Sequence, residues 1–124
     1  MSFKSEVKAL KIRQGIIVVQ LSNKVFLVDL FKMEIIHIIP TFSFDDTEAF
    51  NTISLSNDPQ NLILAVPGAE VGQILLVYLN TRTERIVKAH NSILSGVELS
   101  EDGEKLATSS EKGINVRIFD TRTG

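Results

Sequence analysis

A chain of 124 residues, 44% hydrophobic and 23% charged, carries enough apolar material for one folded unit and does not have the composition of a disordered tail. Thirteen basic against fifteen acidic side chains leave a formal charge of −2, so no global field favours nucleic acid as a partner, and the absence of cysteine excludes a disulfide framework and cysteine metal sites. No apolar run approaches the roughly 18 to 20 residues of a membrane span, and "MSFKSEVKAL" lacks the apolar core of a secretory signal; the expectation is a cytoplasmic protein with no inserted helix.

In chain order, the apolar residues fall in short bursts: "VKALKIR", "GIIVVQL", "KVFLVDL", "EIIHIIP", "FNTISLS", "NLILAVPG", "QILLVYLN", "ERIVKAH", "ILSGVELS", "KLATSS" and "INVRIFD". Each is rich in Ile, Val or Leu and is bounded by Asn, Asp, Gly, Pro or Ser, the pattern of short strands and turns. No segment shows a helical stripe, although "DDTEAF" has the composition of a single helical turn.

A repeat organises these strands. "ISLSNDPQNLILA" at 53–65 matches "VELSEDGEKLATS" at 97–109, and "LNTRT" at 79–83 matches "FDTRT" at 119–123, so the two copies differ by one loop, "PGAEVGQ" in the first and a tighter "EKG" in the second. A looser third copy comes first, "LKIRQGIIVVQLSNKVFLVDLFKMEIIHII", with Asp29 in the place of Asn80 and Asp120. Units of four short antiparallel strands repeating every 40-odd residues are the mark of an all-β, WD40-like β-propeller, whose blades pack face to face around an axis. The expected organisation is a partial propeller: a first blade over 1–46, a second over 47–90 and an incomplete third over 91–124 that lacks its outer strand. Another all-β sandwich or barrel is the alternative for this strand pattern.

Little else carries chemistry. His37 and His90 stand far apart and no His/Asp/Glu group has metal-ligand spacing. "PGAEVGQ" lacks the phosphate-loop pattern, no nucleophile elbow occurs, and Asp45, Asp46, Asp102 and Glu104 fall in expected turns without the burial that tunes a catalytic carboxylate. From Arg82 onward seven basic side chains are matched by seven acidic ones, which gives no nucleic-acid stripe. Neither enzyme activity nor a cofactor or metal is expected.

The run "KAHNSILSGVELSEDGEKLATSSEKGINVRIFDTRTG" resembles a blade of the PROPPIN family, the seven-bladed phosphoinositide-binding propellers of autophagy; "LAVPGAEVGQILLVYL" and "LKIRQGIIVVQLSNKVFLVDLFKMEIIH" resemble the two blades before it. By that register the chain corresponds to blades three to five. The resemblance implies binding of phosphatidylinositol 3-phosphate or the 3,5-bisphosphate at two edge pockets flanking a Phe/Leu-Arg-Arg-Gly motif, which in the family would follow shortly after Gly124. Carried onto this sequence, the first pocket would draw on His90, Thr108, Ser110, Gly113 and Arg117. A phosphomonoester offers several acceptor oxygens, and its matching donors are a guanidinium, hydroxyls, an imidazolium and exposed backbone N–H groups. Ile114 stands where the family usually has Thr, which removes one hydroxyl donor.

Each of these residues has a structural alternative. His90 at a strand end also fits a structural or surface histidine, Arg117 an interblade salt bridge, and Thr108, Ser109 and Ser110 turn hydroxyls that satisfy backbone groups. Asp29 and Asp120 resemble the strand-end Asp of WD-type repeats that caps a turn. The expectation is a peripheral adaptor on autophagosomal, endosomal or vacuolar membranes, with autophagy proteins, and the remaining blades or another chain, as partners; the alternative is a WD-repeat protein scaffold without lipid binding.

Overall fold

The computed structural model describes residues 3, 6–41, 53–111 and 116–122, and these build eleven strands with no helix among them. The first sheet contains β1 (Ala9–Arg13), β2 (Ile16–Gln20), β3 (Lys24–Asp29) and β4 (Glu34–Pro40). The second contains β5 (Ser54–Leu55), β6 (Ile63–Pro67), β7 (Gln73–Tyr78) and β8 (Thr83–Lys88), and the third β9 (Leu94–Leu99), β10 (Lys105–Ser110) and β11 (Arg117–Asp120). Within each sheet the strands follow chain order and pair antiparallel, so every connection is a hairpin. The first hairpin turns on Gln14 (φ 51°) and Gly15 (φ 78°), two left-handed residues in succession, which is the two-residue turn whose twist suits antiparallel strands.

The sheets stack face to face, and the stacking explains the sequence pattern. The second sheet is covered on both sides: Leu64, Val66 and Val77 pack with Val18, Val25, Leu27 and Ile39 of the first sheet. Ile63, Ala65, Ile74 and Leu76 pack instead with Val97, Leu99 and Leu106 of the third. A strand apolar on both faces reads as a continuous run, which is why "ILAV" in β6 shows no alternation. The third sheet alternates, with Leu106, Thr108 and Ser110 buried against the second sheet. The first sheet has a second apolar face of Val19, Leu21, Phe26 and Val28, on which Leu10 and Ile12 remain 59% and 52% exposed. That face has the character of a blade surface that a neighbour covers.

All eleven apolar bursts form strands, including "VKALKIR" as β1. Asp29 and Asp120 cap their turns as expected: Oδ1 of Asp29 accepts from the N–H groups of Phe31 and Lys32, and Oδ1 of Asp120 from that of Arg122. Asn80, aligned with them in the repeat, instead reaches back to the preceding hairpin, where Oδ1 accepts from Leu62 N–H and Nδ2 donates to the Pro59 carbonyl. An amide can both donate and accept, so it bridges two backbone groups where a carboxylate only collects donors. The single turn expected at "DDTEAF" and the tighter turn expected at "EKG" involve residues outside those described.

Candidate functional site

Four of the five expected site residues meet where the third sheet packs on the end of β8. Thr108 lies directly opposite Arg117 in the β10–β11 ladder, so their side chains leave the same face, and Ser110, two residues along β10, shares it. That face points at the second sheet; Ile118, on the other, is 71% exposed. Just beyond β8 the chain delivers His90, 6% exposed, with Nε2 at 2.9 Å from the Thr108 hydroxyl oxygen. Arg117 crosses the same junction, and its Nη1 donates to the Ala89 carbonyl at 2.6 Å. The contact that fills the place of the alternative interblade salt bridge is therefore a charge-assisted hydrogen bond to backbone. Gly113 lies outside the described residues, as do Lys112 and Ile114.

Burial, and then the neighbouring Arg117 guanidinium, push the His90 pKa below its ordinary value, with a hydrogen bond to Thr108 pulling the other way. His90 is therefore neutral at pH 7, so the imidazolium of the phosphate-donor set is not its resting form. The cluster combines one fixed cation with a neutral imidazole and two buried hydroxyl-bearing residues at one sheet junction, an arrangement suited to an oxyanion. An approaching phosphate would favour the protonated ring and convert His90 into a second cation.

Beside the cluster an open cavity of about 470 Å³ is lined by Ala69, Glu70, Val71, Lys88 and Asn91, none of which was among the expected site residues. Sequence reasoning also missed Ala89, whose carbonyl anchors Arg117, and Gly72, whose carbonyl accepts from the N–H groups of both Ala89 and His90, at 3.0 and 3.1 Å. The two glycines of "PGAEVGQ" were the available signal, but they speak only of a turn. Among the described residues no group of three or more His, Asp or Glu could hold a metal, and no helix is long and apolar enough to cross a membrane.

Stacked antiparallel sheets of four, four and three strands, packed face to face with their first strands converging, define an open stretch of WD40-like β-propeller. No protein-family model matches the chain. Autophagy-related protein 18e of Arabidopsis thaliana is 29% identical across 100% of the chain, and mouse WD repeat domain phosphoinositide-interacting protein 2 is 29% identical across 99%. The structure described as a complex of KlAtg21 with the coiled coil of AgAtg16 superposes over 96% of the chain and 38% of its own, with a TM-score of 0.77 and 25% identity. The chain is thus similar, over nearly its whole length, to autophagy-related and phosphoinositide-interacting WD-repeat proteins, the relatives that the PROPPIN resemblance predicts. It spans 32% of the Arabidopsis relative and 27% of the mouse one.

Proposed function

We propose that the protein binds membrane phosphoinositides through the junction of its second and third sheets and acts as a peripheral adaptor in autophagy. In this reading residues 1–46, 47–90 and 91–124 are successive blades of a longer ring. The headgroup phosphate pairs with Arg117, is oriented by Thr108 and Ser110, and raises the His90 pKa so that the ring takes up a proton from solvent as it binds. The observation that carries the proposal is the convergence of His90 and Thr108, at 2.9 Å, with Arg117 from the facing strand. The names of the relatives, autophagy-related and phosphoinositide-interacting, support the class of ligand. Phosphatidylinositol 3-phosphate and the 3,5-bisphosphate are the proposed lipids, and autophagosomal, endosomal or vacuolar membranes the proposed location. One such pocket binds weakly; a second pocket on the same rim would act at high effective concentration once the first is engaged. Flotation of the full natural chain with vesicles that contain or lack phosphatidylinositol 3-phosphate tests this: equal flotation on both overturns it.

One observation favours a second reading, a protein-interaction scaffold. Arg117 and His90 already have partners inside the protein, the Ala89 carbonyl and the Thr108 hydroxyl, as residues with a purely structural role would. The structure of KlAtg21 with an Atg16 coiled coil supports autophagy proteins as the partners of such a scaffold. Charge reversal at Arg117 separates the two readings, since it abolishes lipid flotation in the first and leaves flotation unchanged in the second.

A further inference from the structure

The β6–β7 turn does more than reverse the chain. Its residues close on themselves, with Gly68 N–H donating to the Gln73 carbonyl at 2.8 Å, Gln73 N–H to the Glu70 carbonyl at 3.2 Å, and Gln73 Nε2 to Glu70 Oε2 at 3.1 Å. The closed turn then presents the carbonyl of Gly72 to the N–H groups of Ala89 and His90. Gly72 has a φ of +77°, and a Cβ placed there would lie 1.9 Å from the His90 carbonyl oxygen and 2.6 Å from its carbon. Both atoms are backbone, so the neighbour cannot yield by rotating a side chain, and the left-handed conformation adds its own penalty for any other L residue.

The backbone clamped in this way is the one that builds the candidate site. The carbonyl of Ala89 receives the Arg117 guanidinium at 2.6 Å, and the ring of His90 meets Thr108 at 2.9 Å. Building on the headgroup site proposed above, we infer that Gly72 is the positioning residue of that site: its carbonyl and its missing side chain hold the Ala89–His90 backbone where it sets both Arg117 and the His90 ring. Gly72 touches no ligand in this scheme. It acts through two backbone N–H groups and a close approach that only glycine permits.

Gly103 supplies a matched control. It too has a positive φ, +76°, and a Cβ there would meet a backbone oxygen, that of Asn61, at 2.7 Å. It sits in the β9–β10 turn, at the opposite end of the strands from His90, where its carbonyl accepts from the Thr121 hydroxyl at 2.6 Å. The experiment compares Gly72→Ala with Gly103→Ala in the full natural chain, through two readouts: affinity for vesicles containing phosphatidylinositol 3-phosphate, and the titration midpoint of the His90 ring by NMR without lipid. Gly72→Ala should weaken vesicle binding about tenfold or more, the equivalent of one well-made polar contact, and should move the His90 midpoint up toward the ordinary 6.5 as burial and Arg117 are lost. Gly103→Ala should lower the melting temperature comparably and move neither. If Gly72→Ala leaves the midpoint unchanged, or Gly103→Ala moves it equally, the positioning role is wrong. If the natural protein binds no phosphoinositide, the headgroup proposal fails and the midpoint alone judges Gly72. Should Gly72→Ala fail to fold, Gln73→Ala removes the Nε2–Glu70 bond without adding an atom; the same upward shift supports the role and an unchanged midpoint overturns it.

Discussion

The Ser54 hydroxyl accepts a hydrogen bond from the backbone N–H of Leu99 at 2.9 Å while donating to the Glu98 carboxylate at 3.4 Å, which ties the first strand of the second sheet to the first strand of the third. Ser54 is 3% exposed and its bond from the Leu99 N–H is buried, so that half of the link lies inside the stack, while Glu98 reaches the surface. Ser54→Ala should destabilise the protein by about 1–3 kcal/mol, since it leaves a buried N–H without its partner. Chemical denaturation measures the loss, and amide exchange at Leu99 should quicken in parallel; unchanged exchange there would show that the link contributes nothing.

The sheet-to-sheet contacts are apolar at their centre. Leu64 in β6 is fully buried against the first sheet and Leu106 in β10 fully buried against the second. Either leucine changed to alanine should cost about 2–5 kcal/mol, the range for a leucine removed from a packed interior. Because the two lie in different junctions, their effects should add in the double variant. Strong non-additivity in urea unfolding would mean that the junctions are not independent wedges.

Stability should depend on pH through His90. Its folded-state pKa is lowered, chiefly by burial and next by Arg117, whereas the unfolded chain titrates near the ordinary 6.5. Below pH 6.5 the unfolded state therefore binds the proton first, and stability falls as pH drops toward the folded value. The contribution is whole above pH 6.5. His90→Gln should flatten the change in denaturation midpoint between pH 7.5 and 5.5, and an identical slope in both proteins would remove His90 from the explanation.

Asp102 and Asp120 place a second pH response lower on the scale. Asp102 is held below the usual carboxylate value mainly by the Ser100 hydroxyl, and Asp120 mainly by the Arg122 backbone N–H and then by Lys105. Both are lowered in the folded state, so their support is present above pH 3.8 and is lost as pH falls through the folded values. In Asp120→Asn stability at neutral pH should fall and its decline with pH below 3.8 should flatten, because that carboxylate no longer takes up a proton on unfolding. An unchanged slope in acid would count against the turn cap.

At the candidate site the sign of the ligand response is opposite. A bound phosphate dianion raises the His90 pKa, so binding takes up a proton and affinity should increase as pH falls from 7.5 toward 6. Calorimetry in buffers of different ionisation enthalpy counts that proton. Arg117→Lys should weaken binding less than Arg117→Glu, because the charge stays while the guanidinium hydrogen bond to the Ala89 carbonyl is lost. Equal affinities across the pH range would leave His90 with only its contact to Thr108.

Strand positions were legible because each depends on local residues: β-branched runs bounded by turn formers lead to β1 through β11. The doubled "SLSNDPQNLILA" and "ELSEDGEKLATS" segments also announced that the second and third units share one design, and Ser54 and Glu98, 44 positions apart and hydrogen-bonded, are aligned residues of those two copies. Asn80 shows the limit. By sequence it equals Asp29 and Asp120, yet its amide joins the preceding hairpin, since its chemistry offers a donor that finds the Pro59 carbonyl only once the hairpins are packed.

The amino-acid order alone determined the class of fold, the number of strands and which residues alternate inward, because hydrophobic period and turn propensity act over a few neighbouring residues. Strand pairing and the stacking of the sheets decided the rest: that Gly72 abuts the His90 backbone, that Arg117 lies against the Ala89 carbonyl, and that His90 is buried and therefore neutral. Those relations join residues that are 18 to 28 positions apart. The Gly72 contact extends the pairing of β7 with β8 and the other two need one sheet's face to meet the next, and no local preference specifies either.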